Sequence, residues 1–316
     1  MPLAAKKNQR TEKVTPSLID VEPSPAGEVE EPPAPPKITA LVYSYNNAAG
    51  LRRCLAALEA SDARPVMEIL VVDKGSRDES PTLDSEFPNT TFLRLPRNFG
   101  NTKALNIAMR TGVGELVFFL CPEIEVAPET ISRLVTKLEA DPDVTAVCPS
   151  IVDSHGKPVE QAYRLPTPQT GADLVPVLLS APAEPVTVEY ATFQAMLARK
   201  YFIRGINYLD DRYGEFGADA ELCFQIRRAG RKLVIVPDVT VVRDAPVVKR
   251  SSGAEALLAA DRVHGAAVYL SKHYGFMAGL SYRIGQIFKA LFSFRFSLLM
   301  SLISGSKVDG SQGVSL

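Results

Sequence analysis

The chain has 316 residues, of which 46% are hydrophobic and 22% charged, a balance typical of globular proteins that excludes collagen-like, coiled-coil and wholly disordered classes. Its formal net charge of -1 argues against a protein that binds nucleic acid through bulk positive charge, so we expect no nucleic-acid partner. The four cysteines form no CxxC pair, and the N-terminus lacks the apolar segment of a signal peptide. Both features favour a reducing, cytoplasmic location.

The first 37 residues hold eight of the 24 prolines and few aromatic or clustered aliphatic side chains. Such a segment buries too little apolar surface to offset the conformational entropy that ordering removes. We therefore predict a disordered N-terminal segment over 1–37, followed by a folded domain over 38–245.

Short apolar segments rich in β-formers alternate with amphipathic segments from residue 38 onward. This alternation predicts an α/β fold with a mostly parallel central sheet and helices on both faces. Functional side chains are then expected at the carboxyl ends of the strands. The predicted strands cover 38–44, 67–72, 92–95, 115–120 and 144–148. One predicted helix begins near 51, and two others cover 102–110 and 131–140.

Polar clusters follow several predicted strands and precede one predicted helix. Asp73, directly after the second strand, can accept hydrogen bonds from a ribose or base, although a plain turn gives the same pattern. The carboxylates in 121–125 suit Mg²⁺ or Mn²⁺ beside a diphosphate, and a solvated helix-capping loop is the alternative. Asp219, at a helix start within the polar cluster 213–223, either serves the helix dipole or acts as a general base. No GxGxxG follows the first strand, which argues against an NAD-dependent enzyme.

Five segments in a fixed order cover most of 38–243 and resemble the family 2 glycosyltransferases of the GT-A fold, especially the rhamnosyltransferase-like bacterial members. The resemblance implies a nucleotide-sugar half over 38–150 and an acceptor half over 151–245. It also implies that a sugar moves, with inversion, from a nucleotide-diphosphate sugar to a hydroxyl of a glycan or lipid-linked acceptor in cell-surface polysaccharide synthesis. The segments are ITALVYSYNNAAGLRRCLAAL, MEILVVDKGSRDES, LRLPRNFGNTKALNIAM, GELVFFLCPEIEVAPETISRLVTKLEADPDVTAVCP and GADAELCFQIRRAGRKLVIVPDVTVV.

The resemblance also implies roles for individual residues. Asp219 matches the catalytic base of inverting members. Glu123, with Glu125 two residues on, lies at the acidic motif that holds a divalent metal, Mg²⁺ or Mn²⁺. We expect Ser44, Asp73, Glu123 and Asp219 to meet in one cleft. The positions that match nucleotide-sugar-binding residues are Ser44, Tyr45, Asn46, Asp73, Asn98 and Gly100.

Five positions depart from the family pattern. Glu123 keeps the carboxylate of the metal motif but is one methylene longer than the usual Asp. Cys121 replaces the first Asp or Asn of the metal motif, and a thiol is a poor ligand for hard cations. Ala218, Gln225 and Arg243 stand where Glu, Arg and His are common. The retained Asp73 and Asp219 favour an active enzyme. The alternative is a catalytically weakened relative that binds a nucleotide sugar or acts as a scaffold.

The acceptor half has few specific features, and nothing in it identifies the sugar. We predict one strand over 188–197 beneath the site. The C-terminal tail, 246–316, is basic and apolar, because positions 262–307 hold six Lys or Arg and no Asp or Glu. Its longest uncharged run, 296–306, has 11 residues, too few to span a bilayer.

The tail is expected to be helical over 262–304, with an exposed apolar surface. A break near Ser293 would let two shorter helices each present a polar face. Such a basic, aromatic-rich surface suits an anionic membrane, here the cytoplasmic face of the inner membrane. Packing of the tail against the catalytic domain or a partner chain is the alternative.

Overall fold

A computed structural model describes the protein at residues 37–177, 184–245 and 250–311. The N-terminal segment that the sequence predicts to be disordered lies outside the described residues, except for Lys37. The strands are β1 (Ile38–Ser44), β2 (Met67–Asp73), β3 (Thr90–Arg94), β4 (Leu116–Leu120), β5 (Ile124–Val126), β6 (Val144–Asp153), β7 (Ala162–Tyr163), β8 (Val186–Thr187), β9 (Tyr190–Ala191), β10 (Ala195–Arg199) and β11 (Lys232–Arg243).

Eight α-helices accompany these strands in the described part of the chain, together with two short 3-10 helices, Arg64–Val66 and Ser80–Ser85. The α-helices are α1 (Ala48–Glu59), α2 (Asn101–Thr111), α3 (Thr130–Ala140), α4 (Lys200–Gly205), α5 (Ala218–Arg228), α6 (Ser252–Tyr274), α7 (Phe276–Phe292) and α8 (Phe296–Ile303).

The central sheet has the strand order β3-β2-β1-β4-β10-β6-β11-β5, with β8 added to β11. Its first four strands are parallel, as the alternation of strands and helices predicts, and Ser44 lies opposite Asp73. Parallel neighbours end at the same edge of a sheet. The segments that follow β1, β2 and β4 therefore lie together, and this edge positions the site.

The other half of the sheet mixes strand directions, because β10 runs antiparallel to β4 and β6. The prediction of one strand over 188–197 is wrong. β9 pairs with β7 in a separate two-stranded sheet, and only β10 enters the central sheet. Between them the chain turns, and the Gln194 carbonyl accepts a hydrogen bond of 3.0 Å from the Cys121 N–H.

Buried side chains cover both faces of the sheet. In β4, Phe119 packs on the face covered by α2, whereas Phe118 packs on the face covered by α1 and α3. Both rings are fully buried, and each such burial contributes about 1.5–3 kcal/mol. Strands buried on both faces read as continuous apolar segments in the sequence, which is why β1, β2 and β4 are easily recognised.

The three C-terminal helices differ in burial. α6 joins the main core through Tyr269 and Leu270. α7 and α8 bury few side chains and break at Ser293, as the charge spacing suggested. None of the described helices is both long and apolar enough to cross a membrane. The helical tail with an exposed apolar surface is thus confirmed, and its most exposed apolar residues are Phe276, Met277, Phe288, Phe292, Phe294, Phe296, Met300 and Ile303.

Candidate active site

A cavity of about 420 Å³ opens at the carboxyl edge of the sheet. Two of the residues expected in one cleft, Glu123 and Asp219, line it together. Ser44 and Asp73 end neighbouring strands at the same edge but do not line this cavity. The charged residues that line it are Glu123, Arg164, Asp173, Glu215, Asp219, Arg243 and Arg262.

Asp219 lies in the first turn of α5, where its carboxylate accepts a hydrogen bond of 2.9 Å from the Ala220 N–H. Gly217, just before the helix, has a φ of +99°, and this left-handed conformation lets the chain enter α5 from the cavity wall. Burial raises the pKa of Asp219, although hydrogen bonds from the Ala220 N–H and from Tyr190 oppose the shift. A carboxylate of raised basicity in a cleft is suited to take a proton.

The 214–217 loop, which leads into α5, forms hydrogen bonds with residues of α2 and with the residue that follows β2. The Gly214 carbonyl accepts hydrogen bonds of 3.1 and 2.9 Å from the backbone N–H and the hydroxyl of Thr102. Lys74, which follows β2, contacts Glu215 at 2.8 Å and Asn101 at 2.7 Å. The other Glu215 oxygen, Oε2, is buried without a partner among the described residues, so it is free to accept from a ligand.

Asp261, on α6, supports the same loop from the C-terminal side. Its carboxylate is fully buried and accepts from the backbone N–H of Glu215 at 2.9 Å, of Phe216 at 3.1 Å and of Val308 at 2.7 Å. Burial raises the pKa of Asp261 to about 6. Sequence analysis missed this residue, because an aspartate inside a helix resembles any exposed charge.

The residues after β1 and β2 form a compact turn around Asp73. Both Asp73 carboxylate oxygens accept from the Ser76 N–H at 3.2 Å, and the Ser76 hydroxyl also donates to Asp73. Asn46, at a φ of +48°, accepts from the Arg77 N–H at 2.8 Å. Burial raises the pKa of Asp73, although the hydrogen bonds from Ser76 oppose the shift. Asn46 faces a shallow surface depression rather than the cavity.

Two expected donor residues have unused hydrogen-bonding atoms. The Ser44 hydroxyl oxygen and the Asn98 amide nitrogen are buried without a partner among the described residues. The Asn98 amide oxygen accepts from the Gly100 N–H at 2.8 Å. Tyr45 lies beside Lys74, whose ammonium is 6.0 Å from its ring centroid. Buried unpaired polar atoms are rare in proteins, which makes these two atoms candidate ligand contacts.

The segment after β4 places Glu123 and Glu125 apart. Glu123 lines the cavity and accepts from the Asn47 amide at 3.0 Å. Glu125 pairs with Arg53 at 2.6 Å and does not line the cavity. Burial raises the pKa of the Cys121 thiol well above its ordinary value, and the nearby Glu123 raises it further. A thiol is also a soft ligand, which binds the hard cations Mg²⁺ and Mn²⁺ poorly.

Few side chains among the described residues are available as ligands for a divalent metal. Among the residues that the structure describes, no group of three His, Cys, Asp or Glu could hold a metal ion. Mg²⁺ bound together with a nucleotide phosphate needs only one or two protein carboxylates, since phosphate oxygens and waters complete its shell. Glu123 fits that arrangement as a single carboxylate, whereas a metal held by protein ligands alone does not fit.

Three arginines line the cavity beside its four carboxylates. Arg243 ends β11, and its Nε atom is buried with no partner in the described part of the chain. Arg262 reaches the cavity from α6, with its guanidinium 4.4 Å from the Phe216 ring centroid. Arg164 comes from the segment after β7. Sequence analysis noted Arg243 only as a departure from the family pattern, and it gave no site role to any residue of the tail. Gly265 on α6 was an available signal, because a Cβ at this position would lie 2.6 Å from the Phe216 carbonyl oxygen in the 214–217 loop.

The fold and the site together define an α/β protein with a cleft at the carboxyl edge of its sheet, lined by four carboxylates and three arginines. The sequence matches the family model described as "Glycosyl transferase family 2" over residues 39–202. The chain therefore belongs to glycosyl transferase family 2, as the five sequence segments indicate.

Relatives and one solved structure agree with this assignment. An N-acetylglucosaminyltransferase from Rhizobium meliloti (strain 1021) is 27% identical over 240 residues, which are 71% of this chain and 55% of that protein. An undecaprenyl-phosphate 4-deoxy-4-formamido-L-arabinose transferase from Sodalis glossinidius (strain morsitans) is 35% identical over 117 residues, 34% of this chain and 35% of that protein. The chain thus spans about half, or less, of the length of these curated relatives.

The solved structure is the mannosyltransferase PcManGT from Pyrobaculum calidifontis in complex with GDP-Man and Mn²⁺. It matches with a TM-score of 0.51 at 19% identity, over 90% of this chain and 88% of that chain. At this level of identity the likeness shows the fold, which is the GT-A fold that the sequence resemblance implied.

Proposed function

We propose that this protein is an inverting glycosyltransferase, which moves a sugar from a nucleotide-diphosphate sugar to a hydroxyl of a glycan or lipid-linked acceptor. The observation that carries the proposal is the position of Asp219, in the cavity that Glu123 and Arg243 also line. A base and positive charge in one cleft are what a displacement with a diphosphate leaving group requires.

In the proposed reaction, Asp219 takes the proton of the acceptor hydroxyl while the hydroxyl oxygen bonds to the anomeric carbon. The bond from that carbon to the diphosphate breaks on the opposite side, and the diphosphate leaves with the electron pair. The raised pKa of Asp219, caused by burial, makes its carboxylate a stronger base. Arg243, whose Nε lacks a protein partner among the described residues, offers a charged donor for the leaving group.

The nucleoside half of the donor is proposed to contact the residues that follow β1, β2 and β3. The unpaired Ser44 hydroxyl oxygen and Asn98 amide nitrogen support this role. The remaining proposed contacts are Tyr45, Asn46, Asp73 and Gly100. The solved mannosyltransferase holds a nucleotide sugar, GDP-Man, which supports a donor of this class.

A divalent metal, Mg²⁺ or Mn²⁺, is proposed as the cofactor. When bound, it would neutralise part of the diphosphate charge. Glu123 would hold it, and Glu125 would contribute only by giving up its ion pair with Arg53. Mn²⁺ accompanies the nucleotide sugar in the solved mannosyltransferase, which supports a metal of this kind.

The protein is further proposed to lie on the cytoplasmic face of the inner membrane and to act in cell-surface polysaccharide synthesis. The exposed aromatic side chains of α7 and α8 support membrane contact, because large exposed apolar patches mark interaction surfaces. The name of the relative from Sodalis glossinidius includes an undecaprenyl phosphate, which supports a lipid-linked acceptor.

Release of nucleotide from UDP-, GDP- and dTDP-sugars tests the proposal, with Mn²⁺ or Mg²⁺ and a panel of sugar acceptors. The full chain should release one nucleotide, and Asp219→Asn should lower kcat by about 10²–10⁴-fold because the base is lost. Asp238→Asn is the control, since Asp238 pairs with Arg133 on the surface and should leave kcat unchanged. An Asp219→Asn variant as active as the wild type would exclude the proposed base.

A second candidate function is a nucleotide-sugar-binding protein with weakened catalysis. The soft Cys121 thiol and the few carboxylates available to a metal among the described residues favour it. Tight binding of one nucleotide sugar, with no release on any acceptor, would support this alternative.

A further inference from the structure

A second cavity, of about 380 Å³, lies between α6, α7 and α8. Arg262 and Asp173 line both this cavity and the candidate active site. The two cavities are therefore neighbours with shared lining residues, and a molecule of moderate length could occupy both.

The second cavity is rich in unpaired positive charge. Four cationic residues line it, Arg250, Arg262, Lys289 and Arg295, against the two carboxylates of Asp173 and Glu255. None of the four cations forms an ion pair within the described ranges, although surface cations elsewhere, such as Arg52 and Arg133, do. Cations gathered without carboxylate partners favour an anion, and arginines match the oxygen geometry of a phosphate.

Apolar groups lie beside this charge. Val263, Tyr282 and Leu298 line the same cavity, and the exposed rings of Phe292 and Phe296 project from the same two helices, α7 and α8. A free inorganic anion has no apolar surface to bury against these side chains. The combination fits an amphiphile whose phosphate enters the cavity while its hydrocarbon chain lies on the apolar surface of α7 and α8.

We propose that this second cavity binds the phosphate of a lipid-linked acceptor, in which the phosphate joins a hydrocarbon chain to the group that reacts. The reacting hydroxyl then extends past Arg262 into the candidate active site, where Asp219 takes its proton. The inference rests on the proposed glycosyl transfer and names its acceptor class. Arg262 has the central place, since it lines both cavities.

Binding can be tested separately from catalysis. In calorimetric titrations of the full chain, decyl phosphate should bind at least about tenfold more tightly than decanol, because charge-assisted hydrogen bonds to the phosphate add to the apolar contact. The double variant Lys289→Gln/Arg295→Gln should lose at least about tenfold of the affinity for decyl phosphate. Arg228→Gln removes an exposed cation of α5 and should bind like the wild type. Equal affinity in wild type and double variant would overturn the proposal.

A bulk membrane phospholipid offers the same phosphate chemistry, so a second arm separates the two sources. On phosphatidylcholine vesicles, whose surface has no net charge to attract exposed cations, partition of the full chain should change by less than about twofold in the double variant. Lost partition together with unchanged decyl phosphate affinity would assign the cations to bulk lipid instead and overturn the proposal.

A kinetic arm links the cavity to transfer. Two acceptors are compared, in which the same sugar is joined to a decyl chain either by a phosphate or by an ether linkage. In the double variant, KM should rise at least about tenfold more for the phosphate acceptor than for the ether acceptor. Equal changes for both acceptors would contradict the proposal. If no acceptor supports nucleotide release, the proposed function fails, while the titrations still decide whether the cavity binds phosphate.

Discussion

Gly100, just before α2, has a φ of +84°, a conformation that other residues rarely adopt. A Cβ at this position would lie 2.7 Å from both the Gly214 carbonyl carbon and the Val308 carbonyl oxygen. We expect Gly100→Ala to lower the free energy of unfolding by about 2–4 kcal/mol, since backbone strain and overpacking add. Urea denaturation measures the loss.

Gly156 provides the matched control. Its φ of +78° is similar, but nothing lies within 4 Å of the Cβ that alanine would add. Gly156→Ala should therefore cost only the backbone strain, about 1 kcal/mol. Equal losses in the two variants would show that the close approach of Gly214 and Val308 has no energetic effect.

Cys121 determines how strongly the segment after β4 attracts a metal. Cys121→Asp puts a second carboxylate next to Glu123, and hard cations prefer oxygen ligands. We expect this variant to bind Mn²⁺ about tenfold more tightly in the presence of a nucleoside diphosphate. Electron paramagnetic resonance of free Mn²⁺ measures the affinity. Cys121→Ser, which adds no charge, is the control, and a matching gain in that variant would contradict the argument.

At the scale of elements, Asp261 on α6 gives the loop before α5 a pH dependence. Burial raises the pKa of Asp261 to about 6 from an ordinary value of 3.8. Between these values the folded protein binds this proton more tightly than the unfolded chain does. The contribution of Asp261 to the free energy of unfolding therefore falls as pH rises through this range.

The difference in free energy of unfolding between wild type and Asp261→Asn should then shift against the wild type by about 1 kcal/mol between pH 5 and pH 7. Urea titrations at pH 5, 6 and 7 measure it. The corresponding difference for Asp238→Asn, an exposed residue paired with Arg133, should stay flat. A flat difference for Asp261→Asn would mean that the carboxyl titrates as in the unfolded chain.

Elements differ in how well the sequence predicts them. β1, β2 and β4 are buried on both faces and read as continuous apolar segments, so local pattern is enough to find them. β9 and β10 lie only three residues apart yet belong to different sheets. Nothing local separates them, because the partners β7 and β4 that direct each strand are distant in sequence.

The site shows the same limit. Asp219 and Glu123 stand in recognisable motifs at element ends, and the structure brings them into one cavity. Arg262 and Asp261 come from the middle of α6 and reach the site only through tertiary packing. Their residue types carry no signal in the sequence, since charged residues inside a helix are mostly solvent-exposed.

At the scale of the whole molecule, α7 and α8 present an apolar surface beside basic side chains. Phe292 is 76% exposed and Phe296 is 62% exposed. The double variant Phe292→Ser/Phe296→Ser should weaken partition of the full chain onto phosphatidylglycerol vesicles by about tenfold or more, since each ring loses favourable burial in the interface. Vesicle sedimentation measures the partition.

Tyr201 is the control for this prediction, because it is 58% exposed but lies on α4. Tyr201→Ser should leave partition unchanged. Partition that survives the double variant would assign the apolar surface to a protein partner or a second copy instead of a membrane.

The Asp261 carboxylate has a further consequence for how the molecule opens. Three backbone amides, those of Glu215, Phe216 and Val308, share it as their acceptor. Amide protons exchange with solvent only when their hydrogen bonds open. These three should exchange with deuterium as one set, although Val308 lies far along the chain from the other two. A common exchange rate would show that the C-terminal segment and the loop before α5 open together, as one cooperative unit.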